Sequence, residues 1–256
     1  MDISGFMGGI LASLVAAGGT AIGAVFLFVR RRWSVQQQIL MLASAAGVML
    51  GATFFSLLLP ALDILRERQG NLQGVLNTAF WVAIGAVTVS AVNQWIPHHH
   101  EAKGREGPES KYGRNTLFIL AIAIHNVPEG LSVGVASGVD FTQGLPVLLG
   151  ITAQNLPEGF AVAAALLTDG ARRGTAVGIG ALTGMAEVLG GIVGSAAVGL
   201  GEVMVPFCYA FAAGAMLFII SGEVIPETHA RGRENSATHA LVIGFVGMMI
   251  LTVLLE

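Results

Sequence analysis

The sequence predicts an all-α membrane protein with eight transmembrane helices in an inverted-repeat architecture, with kinked fourth and fifth helices at the centre. Three observations predict this fold: the composition, the number of long apolar stretches, and the placement of Lys and Arg between them. Of the 256 residues, 54% are hydrophobic and 11% are charged, whereas a soluble domain carries about 25% charged residues. Such a chain cannot cover a water-facing surface with polar groups, which excludes a soluble enzyme.

The composition also limits the partners. A net charge of −3 and a pI of about 6.1 give no basic surface for nucleic acid. The single Cys208 excludes an internal disulfide framework and a multi-cysteine zinc module. The 35 glycines suit close helix packing in a bilayer. The expected partner is therefore the lipid bilayer, and nucleic acid is not expected.

Eight apolar stretches reach the length of about 20 residues that a bilayer span needs. They lie at about 5–29, 39–63, 72–96, 115–137, 144–168, 174–200, 203–225 and 236–255. The longest polar connection, 97–114, contains three histidines and leaves no room for a soluble domain. We therefore expect a single transmembrane domain over 1–256.

The cations predict the orientation of these spans. Of the 13 Lys and Arg residues, all but Arg66 and Arg68 follow the first, third, fifth or seventh span. With eight spans, these four connections fall on one side of the membrane, which the positive-inside rule makes cytoplasmic. We expect a plasma (inner) membrane protein with both termini, and the connection carrying Arg66 and Arg68, on the outer side.

Ionisable side chains reach the middle of three predicted spans. Glu129 lies in the fourth span, Glu158 in the fifth and Glu187 in the sixth. A charged residue at the bilayer centre costs about 2.5–3.5 kcal/mol, and these spans contain no Lys or Arg that could neutralise the three glutamates. Protons, water or a bound cation must compensate them.

The neighbouring polar residues favour a cation. They are His125, Asn126, Gln154 and Asn155. On each helix, the residue four positions before the glutamate shares its face, and the asparagine lies beside that pair. Two such faces, if opposed, offer imidazole nitrogen with amide and carboxylate oxygens, a ligand set that suits Zn²⁺ and neighbouring divalent ions.

The two polar segments repeat one pattern, His-Asn-Val-Pro-Glu-Gly at 125–130 and Gln-Asn-Leu-Pro-Glu-Gly at 154–159. Pro128 and Pro157 each remove a helical hydrogen bond, so both helices should kink there. Because consecutive spans run in opposite directions, the repeat indicates an inverted-repeat protein with an ion site near the midplane.

Other polar residues each admit a functional and a structural interpretation. Glu187 is a cation ligand or a polar contact between helices. The histidines of the connection 97–114 form a metal-binding loop or a solvated loop; they are His98, His99 and His100. The polar residues at the end of the seventh span form an ion exit or a plain polar helix end; they are Glu223, Glu227 and His229. Asp63 and Asp140 form a cation entrance or are solvated residues at span ends.

Together these features resemble the ZIP family of zinc and iron transporters, most closely its GufA-like branch. The resemblance rests on eight spans, a histidine-bearing loop after the third, and two Pro-Glu-Gly motifs with Glu187 downstream. It implies import of Zn²⁺, with Fe²⁺, Cd²⁺ or Mn²⁺ as further ions, into the cytoplasm. It also implies elevator-like alternating access, in which the first, fourth, fifth and sixth spans move as a bundle, and a homodimer.

The resemblance further implies a mid-membrane site for two metal ions bridged by Glu129 and Glu158. The ligands of the first ion would be His125, Glu129, Gln154 and Glu158, with Met49 as a further ligand. Those of the second would be Asn126, Glu129, Asn155, Glu158 and Glu187. Two positions depart from the family pattern. Some relatives have Asp where this chain has Asn155, and the neutral amide of Asn155 weakens the second site. Relatives also often have His at the position of Gly222, just before Glu223.

Two other functions are weaker alternatives. An intramembrane metalloenzyme needs an open coordination position and a general base, and the helical motif with two histidines around a glutamate is absent. An ion-coupled carrier of an organic substrate would also use buried carboxylates, but only 7% of the residues are aromatic. The sequence therefore favours metal transport over an enzyme or an organic-substrate carrier.

Overall fold

The computed structural model describes residues 3–29, 34–100, 104–168, 170–201, 203–229 and 234–255. Six of the cations that predict the orientation lie outside these described residues, so the orientation stays a prediction. They are Arg30, Arg31, Arg32, Lys103, Arg231 and Arg233.

Within the described ranges the chain forms eleven α-helices, two π-helical segments and one β-hairpin. The α-helices are α1 (Ile3–Val29), α2 (Val35–Gly51), α3 (Leu59–Gln69), α4 (Asn71–Trp95), α5 (Arg114–Val139), α6 (Leu145–Thr168), α7 (Arg173–Thr183), α8 (Met185–Val198), α9 (Val205–Ile219), α10 (Ile225–His229) and α11 (Glu234–Leu255). The π-helical segments are Ala52–Leu58, between α2 and α3, and Ile220–Val224, between α9 and α10. Strands β1 (His98–His100) and β2 (Gly104–Glu106) pair antiparallel.

These elements make eight spans. The helices α1, α4, α5, α6 and α11 are one span each, and α2–α3, α7–α8 and α9–α10 form the second, sixth and seventh. Seven of the eight spans contain a stretch long and apolar enough to cross a membrane. The remaining helix, α6, has 24 residues, and the polar side chains at 154, 155 and 158 lower its hydropathy. The predicted eight-helix membrane fold is confirmed.

Local sequence signals explain where some of these helices start and stop. Ser34 caps α2 in a reciprocal capping box: its Oγ accepts from the backbone N of Gln37 at 3.2 Å, and the Gln37 side chain accepts from the backbone N of Ser34 at 3.1 Å. Gly70, between α3 and α4, has φ of +84°. Because that conformation strains residues with a Cβ, glycine suits the turn between the second and third spans.

Three local features were not predicted. The second and seventh spans each contain a π-helical segment, the sixth is interrupted at Gly184, and part of the connection 97–114 folds as the β-hairpin, whose β1 packs against α5. The hairpin is a small β addition to the predicted all-α fold. Both α5 and α6 continue through Pro128 and Pro157, so neither proline ends its helix.

The spans pack in two groups of four. In the inner group, α5 packs on α8 and α1 packs on α6; in the outer group, α2 packs on α11 and α4 packs on α9. We define the inner group as α1, α5, α6 and α7–α8, and the outer group as α2–α3, α4, α9–α10 and α11. The two groups meet mainly where α2 faces α6 and α5 faces α9.

This packing has the symmetry of an inverted repeat. The repeat relates span one to span six, two to seven, three to eight and four to five. This exchange converts the packing of span four on span six into the packing of span five on span one. It likewise converts the packing of span two on span eight into that of span seven on span three. Every exchange joins an odd span to an even span, which cross a membrane in opposite directions. The two π-helical segments also occupy exchanged spans, the second and the seventh.

Glycines bring helix backbones into contact inside each group. A Cβ on Gly130 would lie 1.8 Å from the carbonyl oxygen of Glu187, within the inner group, and one on Gly214 would lie 1.9 Å from that of Val82, within the outer group. Between the groups, the close glycine contact found in the described residues is Gly150 against the Met248 side chain, 2.6 Å from its Sδ. Backbones therefore interlock inside each group, whereas side chains separate the groups.

Candidate metal centre

A cavity of about 50 Å³ lies between the two groups, enough for a few water molecules. Its polar lining comes from both groups and consists of His125, Glu129, Gln154, Glu158 and Glu227, with the thioether side chain of Met49 beside them. Its apolar lining is Leu42, Ala45, Ile122, Ala161 and Val224. The structure thus brings the two predicted helix faces, from α5 and α6, to one cavity beside Met49 of α2.

Several buried oxygens around this cavity lack a hydrogen-bond donor among the described residues. They are both carboxylate oxygens of Glu129, Oε1 of Glu158 and Oε1 of Gln154. Burying such an acceptor unpaired costs about 1–3 kcal/mol, and more for a charged group. Because these atoms are all electron-pair donors, a cation would satisfy them together.

The carboxylates and the imidazole do not form a complete site alone. In the part of the chain that is described, no three His, Cys, Asp or Glu side chains are grouped as a metal site. A centre built here also needs the amide oxygen of Gln154 and the thioether of Met49, and the ligand roles predicted for these residues stay predictions.

His125 pairs with a glutamate of the seventh span. Its Nε2 contacts Oε2 of Glu223, and the other carboxylate oxygen of Glu223 accepts from Nδ2 of Asn93. Glu223 lies in the π-helical segment Ile220–Val224 and is buried. Glu227, one turn further on, lines the cavity. Two of the three predicted exit residues therefore adjoin the candidate centre.

Glu187 belongs to a separate hydrogen-bonded group behind the cavity. Its Oε1 accepts from Oγ1 of Thr20 at 2.8 Å, and its Oε2 accepts from Nδ2 of Asn155 at 2.7 Å. Asn155 Oδ1 accepts from Nε2 of Gln154 at 2.9 Å. The interhelical contact that the sequence left open for Glu187 is present. Asn126 binds the same span, because its Nδ2 donates to the carbonyl of Thr183 at 3.0 Å.

Of the remaining histidines, His98, His99 and His229 do not line the cavity. His98 is fully buried, with Nδ1 2.7 Å from the carbonyl of Ile96 and Nε2 3.5 Å from Glu106. His99 is half-buried, and the side chain of His100 lies outside the described residues. His229 Nε2 lies 3.0 Å from Oγ1 of Thr238. The metal-binding interpretation of the loop stays a prediction.

The two predicted entrance residues are exposed and do not line the cavity. Asp63 is exposed on α3. Asp140 follows α5, and its Oδ1 accepts from the backbone N of Gln143 at 2.9 Å, which stabilises the turn before α6. Their role in attracting cations stays a prediction.

Sequence reasoning missed Thr20 and Asn93. Both are polar residues in membrane spans, and both donate to a buried glutamate, Glu187 and Glu223 respectively. An isolated Thr gives no signal, because its hydroxyl commonly bonds the carbonyl four residues earlier. Asn93 is a stronger signal that could have been noticed, since an amide near a span end needs partners.

Known proteins are similar to this chain in sequence. Residues 96–252 match the profile of the family described as ZIP zinc transporter. Zinc transporter GufA of Myxococcus xanthus is 39% identical over 246 residues, which cover 95% of this chain and 97% of that protein. The chain belongs to the ZIP family. Zinc transporter ZIPB of Bordetella bronchiseptica is 39% identical over 245 residues, 94% of this chain and 79% of that protein.

The sequence similarity to ZIP-family proteins also covers the first three spans. The family profile begins at residue 96, but the alignment with zinc transporter ZIP11 of Bos taurus, 32% identical over 329 residues, covers 95% of this chain and 96% of that protein. Met49 therefore lies within the aligned family fold, together with His125 and Glu158. The chain is a multi-pass membrane protein of a divalent-metal transporter family.

Proposed function

We propose that this chain imports Zn²⁺ into the cytoplasm across the plasma membrane, with Fe²⁺, Cd²⁺ or Mn²⁺ as further ions. One observation carries the proposal: buried oxygens without donors converge on a small cavity inside an apolar bundle. The relatives named as zinc transporters support the choice of metal. Two buried glutamates, Glu129 and Glu158, balance the charge of one dication.

The ion is held by side chains on three helices. The ligands we propose are Met49, His125, Glu129, Gln154 and Glu158. Nitrogen and oxygen donors of this kind bind Zn²⁺ and several related divalent ions, so the set does not select one metal sharply. Acid should weaken binding, because protons compete with the metal for carboxylate and imidazole.

The shape of the cavity supports a cytoplasm-facing state. With the orientation predicted from the cations, the lining residues Leu42, Ala161 and Glu227 lie on the cytoplasmic side of the glutamates. On the opposite side, a buried apolar cluster that includes Leu57 and Met216 fills the space between the groups. An ion could leave toward the cytoplasm here, and import requires a second state that opens outward.

The contact between the two groups supports movement of the inner group as a unit. Within the inner group, Gly130 and Gly159 place helix backbones against those of Glu187 and Thr20, which locks these helices together. Side chains such as Met248 separate the two groups. We infer that the inner group slides against the outer group and carries the ion in elevator fashion.

The exit path begins at the candidate centre itself. Glu223 contacts His125, and Glu227 lines the cavity toward the predicted cytoplasmic side. We infer that the ion passes from His125 to these two carboxylates.

The alternative function, a carrier of organic molecules, is not favoured. The cavity volume of about 50 Å³ is far below the roughly 300–1,000 Å³ of typical small-molecule pockets.

Zinc uptake into vesicles tests the proposal. The chain is reconstituted into liposomes that contain a zinc-sensitive dye, and Zn²⁺ is added outside. We expect saturable uptake by the chain and background uptake by the Glu129→Gln, Glu158→Gln double variant. Glu67→Gln, at an exposed position of α3, is the matched control and should retain uptake. Uptake by the double variant equal to that of the control would contradict this site.

A further inference from the structure

Glu187 differs from the cavity glutamates in its hydrogen bonds. Each of its oxygens has a donor, Thr20 Oγ1 at 2.8 Å and Asn155 Nδ2 at 2.7 Å. All three residues are fully buried. Hydrogen bonds to an ionised carboxylate are stronger than neutral ones, so this carboxylate is compensated without a metal ion.

The orientation of the Asn155 amide follows from its neighbours. Nδ2 lies 2.9 Å from the carbonyl oxygen of Ala16 and 2.7 Å from Oε2 of Glu187. A backbone carbonyl can only accept, and so can an ionised carboxylate, so the amide atom between them must be the nitrogen. The oxygen of Asn155 therefore points the other way, toward Gln154.

The orientation of the Asn155 amide in turn determines that of the Gln154 amide. Its Nε2 donates to Oδ1 of Asn155 at 2.9 Å. Its Oε1 is buried without a donor among the described residues, and Gln154 lines the cavity with Glu129 and Glu158. A ligand amide is thus held with its oxygen, the atom that binds cations, available.

We propose that Thr20, Glu187 and Asn155 are positioning residues that orient Gln154, and that this chain binds one divalent ion where the family resemblance implies two. The inference rests on the proposed function. A second ion bound by Glu187 and Asn155 would have to replace the bonds from Thr20 and to Gln154. Two glutamates already neutralise one dication, and Glu187 keeps its own donors.

The number of ions bound per chain tests this inference. Bound Zn²⁺ is measured on the purified full chain in detergent by equilibrium dialysis and elemental analysis. The count for the Glu129→Gln, Glu158→Gln double variant is subtracted, which removes ions held by other histidines. We expect a difference of one ion for the chain and for Glu187→Gln. We expect two for Asn155→Asp, because a carboxylate then replaces the amide donor.

Variants of Thr20 test the positioning role even if Asn155→Asp fails to fold. Thr20→Val should weaken Zn²⁺ binding by about tenfold, as supporting residues of metal sites typically do, with the count still one. Thr20→Ser keeps the hydroxyl and should restore the affinity. Thr78→Val is the matched control, since the buried Thr78 hydroxyl donates to Gly74 within α4 and should not affect binding.

Two results would overturn the inference. A count of two that falls to one in Glu187→Gln would make Glu187 a ligand, and zinc transport would stand. Wild-type affinity in Thr20→Val would remove the positioning role. A count of zero together with absent uptake would overturn the transport function as well, which separates the two failures.

Discussion

Glu129 and Glu187 are both fully buried carboxylates of the inner group, but their surroundings differ. The oxygens of Glu129 have no donor among the described residues, whereas those of Glu187 accept from Thr20 and Asn155. Burial is therefore not what distinguishes a candidate cargo ligand in this membrane protein. The distinction lies in the hydrogen-bond donors: Thr20 and Asn155 compensate Glu187, whereas we propose that a cation compensates Glu129.

The largest effect is expected at Gly130, where the helix of Glu129 contacts the helix of Glu187. A Cβ on Gly130 would lie 1.8 Å from the backbone oxygen of Glu187. Backbone cannot yield as a side chain does, so Gly130→Ala should destabilise the protein by about 3 kcal/mol or more. Thermal melting and the yield of folded protein in detergent measure the effect.

Two glycine variants are its controls. Gly178→Ala places its Cβ in open space, and Gly150→Ala meets the flexible Met248 side chain between the groups. The first should melt like the parent chain, and the second should fold but transport more slowly. If Gly130→Ala melted like Gly178→Ala, the tight contact between α5 and α8 would be refuted.

Replacing Glu129 or Glu187 with Gln should change the melting temperature less than Gly130→Ala does, and the two replacements should change it in opposite directions. Without metal, Glu129→Gln replaces a buried carboxyl group that has no donor with a neutral amide and should raise the melting temperature. Glu187→Gln replaces an acceptor of two hydrogen bonds and should lower it; each change corresponds to about 1–3 kcal/mol. Thermal melting of both variants in chelator measures the difference.

Added Zn²⁺ sharpens the same comparison. It should still stabilise Glu187→Gln, although at a higher Zn²⁺ concentration than the parent chain because Gln154 is less well oriented, but should not stabilise Glu129→Gln. Equal changes of melting temperature in the two variants, with and without metal, would mean that the two carboxylates have the same role.

The sequence predicted the eight spans and the convergence of the α5 and α6 faces, because long apolar runs and four-residue spacing are local properties. It did not predict the donors to Glu187, since the rotation of α1 against α8 depends on packing between distant segments. The contact between His125 and Glu223 was missed for the same reason. The π-helical segments were also missed, because the spans that contain them are apolar on most sides and an inserted residue breaks no visible pattern.

Anomalous diffraction at the zinc edge from crystals of the full chain tests the central claim most directly. The account predicts one strong peak in the cavity, within bonding distance of Glu129 and Glu158, and no peak beside Glu187, whose bonds to Thr20 and Asn155 persist. A peak bound by Glu187, or none between Glu129 and Glu158, would contradict it.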